Sequence, residues 1–188
     1  GWHFNAGLTL DEMERFEEAL ECYEQALAIE PDDVESLHRL GADQARLGRF
    51  KQALRTFEHI ESIDPAFEAA YCDRIVVYAE MGEHDRAEEM FYLARQYKEE
   101  CPRCYYNIGC SLAERRQFDR AIYCWQKTLD LDDTHPEVHL KIAEALWEKG
   151  ELEKARQQYL RELRNAPGNM WALLDLGDLL LEMGRTDE

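Results

Sequence analysis

A period of 34 residues is the feature of this sequence that most constrains its fold. Five alanines fall at this interval: Ala19, Ala53, Ala87, Ala121 and Ala155. The residue four positions after each alanine is aromatic: Tyr23, Phe57, Phe91, Trp125 and Tyr159. Twelve positions before the alanines lie Gly7, Gly41 and Gly109, with Ile75 and Ala143 as the exceptions. Five copies in phase indicate an array of similar structural units rather than one irregular domain.

Each unit is predicted to be a pair of helices. In the second unit, Leu37, Leu40 and Gly41 recur at spacings of three and one, which places them on one side of a helix. Glycine marks the turn into the second helix in four units, at Gly48, Gly82, Gly150 and Gly184. The small alanine of the second helix permits its close approach to the first. One such hairpin cannot bury its own apolar face, so its stability must come from stacking on its neighbours.

A unit with a small residue, an aromatic residue and a closing proline at these offsets resembles the tetratricopeptide repeat (TPR). Prolines close three units, at Pro31, Pro65 and Pro167, whereas Glu99 and Asp133 take that place in the other two. The resemblance implies an all-α fold, a right-handed α-α superhelix in which antiparallel helix pairs form a TPR solenoid. It divides the chain into a single array with repeats at 1–33, 34–67, 68–101, 102–135 and 136–169 and a partial repeat at 170–188. We expect the chain to be a fragment of a longer protein, because it starts within a helix and stops before the next alanine.

The charge balance bears on the class of partner. The 188 residues include 22 basic and 40 acidic side chains, which gives a formal net charge of -18. This charge repels phosphate backbones and acidic lipid surfaces, so it predicts neither nucleic-acid nor membrane partners. It favours proteins or peptides, with basic residues facing the acidic C-terminal half.

A C-x-x-C pair, Cys101 and Cys104, is the one motif that suggests chemistry. It lies where the third repeat passes into the fourth, and Pro102 suits the first turn of a helix. Three interpretations stay open: an ordinary repeat junction, an oxidisable thiol pair that acts as a sensor, and part of a metal site. The first is preferred, and we predict no metal site and no cofactor. The six cysteines are scattered rather than spaced as a disulfide framework, which favours reduced thiols and a cytoplasmic location.

The TPR resemblance implies that first helices line a concave groove, where an extended peptide or a partner surface binds. The candidate binding residues on that side are Asn5, His38, Arg39, Arg46, Arg103, Tyr106, Asn107, Lys141, Trp147 and Trp171. The last repeats add Glu144, Glu148, Asp175 and Glu182, and the fourth adds Cys110 and Glu114. The first half of the groove is therefore expected to be relatively basic and the last half acidic and aromatic. The alternative is that these charges are merely solvated and that each tryptophan packs on the next repeat.

A more specific subfamily is not matched. TPR modules that clamp the C-terminal carboxylate of chaperones need lysine, asparagine and further basic residues at fixed positions of this face. The matching positions here are His38, Ala42, Asp73, Arg103 and Asn107. An aspartate stands where the clamp needs a neutral donor, so chaperone-tail binding is not expected.

The predicted function is that of a non-enzymatic scaffold for protein-protein interaction, which binds a peptide segment or partner surface in its groove. The alternative is a targeting or regulatory solenoid within a larger enzyme or assembly whose active part lies outside this chain. A thiol-based sensor at Cys101 and Cys104 is the third possibility. The apolar face of the last helix is also expected to allow self-association through an uncapped C-terminal end.

Overall fold

A computed structural model describes residues 1–98 and 100–185 of the chain. Within these residues the structure contains eleven α-helices and no strand. The helices are α1 (Trp2–Glu12), α2 (Phe16–Ile29), α3 (Val34–Arg46), α4 (Phe50–Ile63), α5 (Glu68–Glu80), α6 (His84–Tyr97), α7 (Pro102–Glu114), α8 (Phe118–Leu131), α9 (Val138–Glu148), α10 (Leu152–Asn165) and α11 (Met170–Glu182). Glu99, at the place of a closing proline, lies outside the described residues, as do the last three residues of the partial repeat at 170–188.

The chain divides into two compact units, Gly1–Glu99 and Glu100–Glu188. The first unit contains three helix pairs, α1 with α2, α3 with α4 and α5 with α6. The second contains α7 with α8, α9 with α10, and then α11 packed on α10. Within the first unit α3 also contacts α5, and within the second α7 contacts α9. First helices of neighbouring pairs therefore meet inside each unit.

The core of each unit is built from the residues that define the 34-residue period. All five periodic alanines are fully buried. The five aromatic residues that follow them are 0 to 7% exposed. Their burial confirms the predicted phase, because a shift by even one position would turn these side chains away from the neighbouring helix.

Three of the glycines on first helices are required by close helix contact. A Cβ at Gly41 would lie 2.6 Å from the Phe57 ring, well inside van der Waals contact. The corresponding distance is 2.5 Å both from Gly7 to Tyr23 and from Gly109 to Trp125. In these three pairs, the aromatic ring of the second helix thus lies directly on the backbone of the first helix.

The turns between paired helices share a left-handed residue. The predicted turn glycines, Gly48, Gly82, Gly150 and Gly184, have φ angles of 71, 73, 76 and 69°. The first and fourth repeats lack this glycine, yet Glu14 and Arg116 adopt the same conformation, with φ of 56° at both. The turn geometry is therefore kept where the sequence does not favour it, at a cost of roughly 1 kcal/mol for each residue with a Cβ.

A buried cluster of carboxylates lies between the first two helix pairs. Asp43 on α3 is fully buried and Asp11 on α1 is nearly so. Arg46 Nη1 lies 2.9 Å from a carboxylate oxygen of each, and the Tyr23 hydroxyl donates to Asp11 at 3.2 Å. Burial and the adjacent Asp11 raise the pKa of Asp43 to about 7, although Arg46 opposes the shift. Burial therefore favours the neutral form of Asp43.

The turn analysis predicts that Glu14→Gly stabilises the protein. Glycine adopts positive φ without the steric penalty of a Cβ, and Glu14 is exposed. The free energy of unfolding should rise by about 0.5–1 kcal/mol in urea denaturation. Gly48→Ala, at the equivalent turn, is the matched control and should lower it by a similar amount. Equal stability of both variants and the wild type would contradict the steric explanation.

The buried carboxylates predict a specific pH dependence of stability. Because the pKa of Asp43 is higher in the folded state than in the unfolded chain, this residue favours folding at low pH, and its contribution falls as pH rises from about 4 to about 7. The asparagine of Asp43→Asn cannot ionise, so the variant does not lose free energy of unfolding at this position as the pH rises. Its stability relative to the wild type should therefore increase between about pH 4.5 and about pH 8. Denaturation curves across this range measure the difference.

Asp11→Asn provides the control for that measurement. It removes the neighbouring negative charge, so the titration of Asp43 should move to lower pH. Parallel stability curves for the wild type and Asp43→Asn would show instead that Asp43 is ionised throughout.

Candidate functional site

The second unit contains an open cavity of about 740 Å³ that residues of helices α7 to α11 line. Its lining is Cys110, Ala113, Glu114, Phe118, Trp125, Lys141, Glu144, Ala145, Trp147, Glu148, Tyr159, Asp175 and Glu182. This volume is within the range of clefts that hold a small molecule or a few residues of a peptide.

Aromatic rings form one part of the lining. Trp147 from α9 meets Tyr159 from α10 edge to face, with ring centroids 6.4 Å apart. Phe118 and Trp125 from α8 complete the set. Trp125 is almost fully buried, and its indole N–H donates to the backbone oxygen of Tyr106 at 3.2 Å. These rings are held by the packing of the helix pairs, so the aromatic surface is preformed.

Carboxylates form the other part of the lining. Five line the cavity, Glu114, Glu144, Glu148, Asp175 and Glu182, whereas Lys141 is the single ammonium group in the lining as the structure describes it. Lys141 Nζ lies 3.0 Å from Glu144, and the Trp147 indole donates to Glu182 at 2.7 Å. Glu148 pairs at 3.1 Å with Arg116, which is largely exposed. The cavity therefore has an excess of four negative charges when all these lining groups are ionised.

Burial affects the protonation of groups in this cavity. The pKa of Asp175 is raised by burial and by the neighbouring Asp178, while Tyr159 and Lys141 oppose the shift. Burial would lower the pKa of Lys141, but the Glu144 hydrogen bond and the surrounding charges raise it. Burial also raises the pKa of the Cys110 thiol, against the effect of Lys141. The site thus holds a charged ammonium group among five carboxylates.

Of the ten candidate binding residues, the structure brings Lys141 and Trp147 to this cavity and places the other eight outside its lining. The additional residues expected on the same side, Cys110, Glu114, Glu144, Glu148, Asp175 and Glu182, all line it. Tyr106 lies with its ring centroid 4.6 Å from that of His135, and burial raises its pKa. Arg103 is exposed and Asn107 is half-buried, both on α7 and outside the lining. Trp171 is 70% exposed on α11 and also lies outside it.

The predicted residues of the first unit are engaged in local contacts. His38 Nε2 lies 2.7 Å from Asp73. Arg46 is paired with Asp11 and Asp43, as described above, and its guanidinium lies 5.1 Å from the centroid of the Phe16 ring. Asn5 is exposed and Arg39 is half-buried. Arg46 thus lies in ion pairs with carboxylates of its own unit, and the expectation of a relatively basic first half stays a prediction.

Three lining aromatics were not among the predicted binding residues: Phe118, Trp125 and Tyr159. They belong to second helices, which the TPR resemblance assigns to packing rather than to the groove. The periodic spacing of Trp125 and Tyr159 was visible in the sequence, but it signals core packing and gives no indication that the same ring also lines a cavity. The carboxylates, in contrast, lie on the side of the first helices from which binding residues were expected.

The C-x-x-C pair has a structural role at the start of α7. Cys101 precedes Pro102, the first residue of the helix, and its sulfur accepts the backbone N–H of Cys104 at 3.2 Å. Both side chains are buried. Cys104 is disulfide-bonded and Cys101 is not, so the two are not bonded to each other. The prediction that the thiols are reduced is wrong at Cys104, and this residue gives no support to a cytoplasmic location.

None of the helices in residues 1–98 and 100–185 is both long enough and apolar enough to cross a membrane.

Comparison with known proteins places these features in a family. Sequence models described as tetratricopeptide repeat match residues 2–33, 34–59 and 106–169. Human protein O-mannosyl-transferase TMTC1 is 26% identical over 157 residues, which cover 81% of this chain but only 18% of that protein.

Solved structures agree in fold. TTC0263, a thermophilic TPR protein of Thermus thermophilus, matches with a TM-score of 0.80 at 24% identity, covering 95% of this chain and 97% of that one. YrrB, described as a TPR protein with an unusual peptide-binding site, matches with a TM-score of 0.64 at 18% identity, covering 92% and 89%. The predicted all-α TPR fold is thus confirmed. The chain belongs to the tetratricopeptide repeat family.

Proposed function

We propose that the second unit is a protein-interaction module whose cavity binds a peptide segment through a basic side chain. The observation that carries this proposal is the combination of preformed aromatic rings with five carboxylates and one ammonium group in a single lining. A lysine or arginine side chain has an apolar stem and a cationic end, so it can use both parts of such a surface.

The two parts of the lining would contribute in different ways. The ring of the half-buried Trp147 offers a π face, and a cation over such a face gains about 0.5–2 kcal/mol depending on its desolvation. Asp175 and Glu144 then supply charge-assisted hydrogen bonds to a guanidinium or ammonium group. Lys141 partly compensates Glu144, which leaves Asp175 as the carboxylate best placed to accept a ligand cation.

The family supports the general class of this function. TPR proteins act as interaction scaffolds, and YrrB carries a peptide-binding site according to its description. The details proposed here rest on the cavity of this chain and not on that likeness, because identity at this level indicates only a common fold.

We propose that the chain itself is not a catalyst. The cavity lining, as far as the structure describes it, includes no histidine and one cysteine, Cys110. Burial raises the pKa of that thiol, so little thiolate is available as a nucleophile.

A role within a larger enzyme is a second candidate function. It is favoured by the similarity to TMTC1, which is named as a mannosyl-transferase and of which this chain spans 18%. In that setting the cavity would select or position a protein partner of the enzyme. Both candidate functions use the same binding surface. They differ only in whether this chain is part of a larger enzyme.

The cavity predicts that Trp147→Ala weakens peptide binding by about 2 kcal/mol or more, roughly thirty-fold in Kd. The probes are peptides selected on the purified chain from a random phage-displayed library, then synthesised with a fluorescent label. We expect the selected peptides to share one lysine or arginine, and its replacement by glutamine to abolish binding in fluorescence anisotropy.

Tyr123→Ala is the matched control for the tryptophan substitution, since Tyr123 is a similarly large aromatic residue that is exposed outside the cavity. Circular dichroism should show the same helical content for both variants. Equal binding by both, or selected peptides without a shared basic residue, would refute the proposed site.

The electrostatic part of the proposal is tested by Glu144→Gln combined with Asp175→Asn. This pair removes two lining carboxylates and releases Lys141 from its ion pair, so the affinity for a basic peptide should fall at least ten-fold. The remaining affinity should also depend less steeply on salt. Asp130→Asn, an exposed carboxylate outside the lining, is the control and should leave both quantities unchanged. An unaltered salt dependence in the double variant would mean that the ligand cation is bound elsewhere.

A further inference from the structure

A second cavity, which we call the loop cavity, lies between two loops of the second unit. It has a volume of about 650 Å³. Its lining comes from residues 133–137 in the loop before α9, from Glu162 and Asn165 in the last turn of α10, and from Ala166 and Asn169 before α11. As the structure describes them, its lining and that of the first cavity share no residue. The loop cavity is therefore a separate place for a ligand.

The charge in the loop cavity is of one sign. Asp133, Glu137 and Glu162 belong to the lining, whose described part includes no lysine or arginine. Asp133 and Glu137 are exposed, whereas Glu162 is only 4% exposed. His135 has its Nδ1 3.1 Å from the backbone oxygen of Pro136. When Nδ1 of the neutral ring donates there, Nε2 is a further acceptor. The loop cavity thus offers acceptors and negative charge to a ligand.

Glu162 is a buried carboxylate that has no ion pair with the described residues. Its Oε1 accepts from Asn169 Nδ2 at 3.0 Å, whereas its Oε2 has no hydrogen bond to the described part of the chain. The other buried charged side chains of that part, Asp43, Asp73 and Arg74, each lie 2.7 to 2.9 Å from a group that can carry the opposite charge. A buried carboxylate without a counter-ion is costly, so a cation in the loop cavity would remove a cost that the described chain leaves.

The 34-residue period shows how unusual a carboxylate is at this place. The equivalent residues of the earlier repeats are Ala26, Ile60, Ala94 and Thr128. Ile60, Ala94 and Thr128 are fully buried, and Ala26 is half-buried. Glu162 therefore introduces a charge at a position that the other repeats use for packing. A local conflict of this kind is expected at a functional site.

Hydrogen bonds hold both loops in place around the loop cavity. Asp132 accepts from the backbone N–H and the hydroxyl of Thr134, at 3.1 and 2.8 Å. Asn169 accepts the backbone N–H of Ala172 at 3.2 Å while it donates to Glu162. The walls of the loop cavity are therefore preformed, which lowers the entropy that a ligand must lose on binding.

The positions of the acceptors favour an organic cation over a metal ion. A metal centre needs its ligand atoms around one point. In the described chain, no three carboxylate or imidazole ligand atoms of this lining all lie within 4.8 Å of one another. A ligand with several ammonium or guanidinium groups can instead reach the separate carboxylates one by one through charge-assisted hydrogen bonds.

We propose that the loop cavity binds a ligand with more than one alkylammonium or guanidinium group. One cationic group lies against Glu162, and another lies against the exposed Asp133 or Glu137. A free polyamine and the basic side chains of a protein segment are the two sources of this chemistry. Binding here does not depend on the peptide site proposed for the first cavity.

The probes are spermidine and the blocked tripeptide acetyl-Arg-Gly-Arg-amide, one for each source. Each is titrated into the chain by isothermal calorimetry at about 0.15 M salt, which screens the general attraction of a chain with a net charge of -18. We expect at least one probe to bind saturably at a single site. The amide chemical shifts should then change mainly in residues 132–137 and 165–169.

Glu162→Gln tests the buried carboxylate. The variant keeps an acceptor for Asn169 and removes the charge, so the probe should bind at least ten-fold more weakly. Without ligand, its melting temperature should not fall below that of the wild type, because the lost charge had no counter-ion. Glu58→Gln makes the same change of charge at an exposed residue of the first unit, and it should alter binding less than two-fold.

The double variant Asp133→Asn, Glu137→Gln keeps the test decisive if Glu162→Gln unfolds. Both residues are exposed, so their replacement should leave the melting temperature unchanged and weaken binding at least three-fold. Equal binding by the wild type and Glu162→Gln would overturn the proposal, as would the absence of saturable binding by both probes at millimolar concentration. Binding that Glu144→Gln with Asp175→Asn abolishes and Glu162→Gln leaves intact would place the cation in the first cavity and overturn it too.

Discussion

The contact between a glycine on a first helix and an aromatic ring on the second is the interaction on which three of the five complete helix pairs depend. At Gly41 the Phe57 ring lies where a Cβ would be, so the two helix backbones approach as closely as the ring thickness allows. A buried aromatic side chain removes roughly 150–250 Å² from water, which makes it a large share of what holds one hairpin together. Substituting either partner alone breaks the fit, because a larger first residue clashes and a smaller second residue leaves a void.

The same contact also builds the candidate site. Trp125 packs on Gly109 with one part of its ring, and it lines the cavity with another. Tyr159 is fully buried by the helices around it and still contributes to the lining. These two residues therefore couple binding to folding, and removing them would change both. Trp147 is half-buried and lies outside the periodic set. A substitution there can therefore change binding without changing folding.

The sequence predicts those parts of the structure that depend on residues within one helix pair. The period places Ala87 and Phe91 in the core, and the turn glycines appear where helices end. Contacts between residues 35 positions apart, such as Arg46 with Asp11, were beyond this reasoning because they depend on how neighbouring pairs are rotated. For the same reason, the sequence predicted Lys141 and Trp147 as binding residues but not Tyr159, because its helix is assigned wholly to packing. Arg116 shows a third limit, since tertiary packing imposes a left-handed turn that its side chain disfavours.

The excess of acidic residues is used differently in the two units. In the first, Asp11 and Asp43 lie beside Arg46, and burial together with the adjacent Asp11 raises the pKa of Asp43, which reduces the repulsion between the two carboxylates. In the second, five carboxylates and one ammonium group line the same cavity, and we propose that a basic ligand side chain binds to this charge. A net charge of -18 attracts a basic partner over a distance comparable to the Debye length, about 8 Å at physiological salt. Long-range attraction of this kind raises the rate of encounter, whereas the rings and carboxylates of the cavity decide which side chain stays bound.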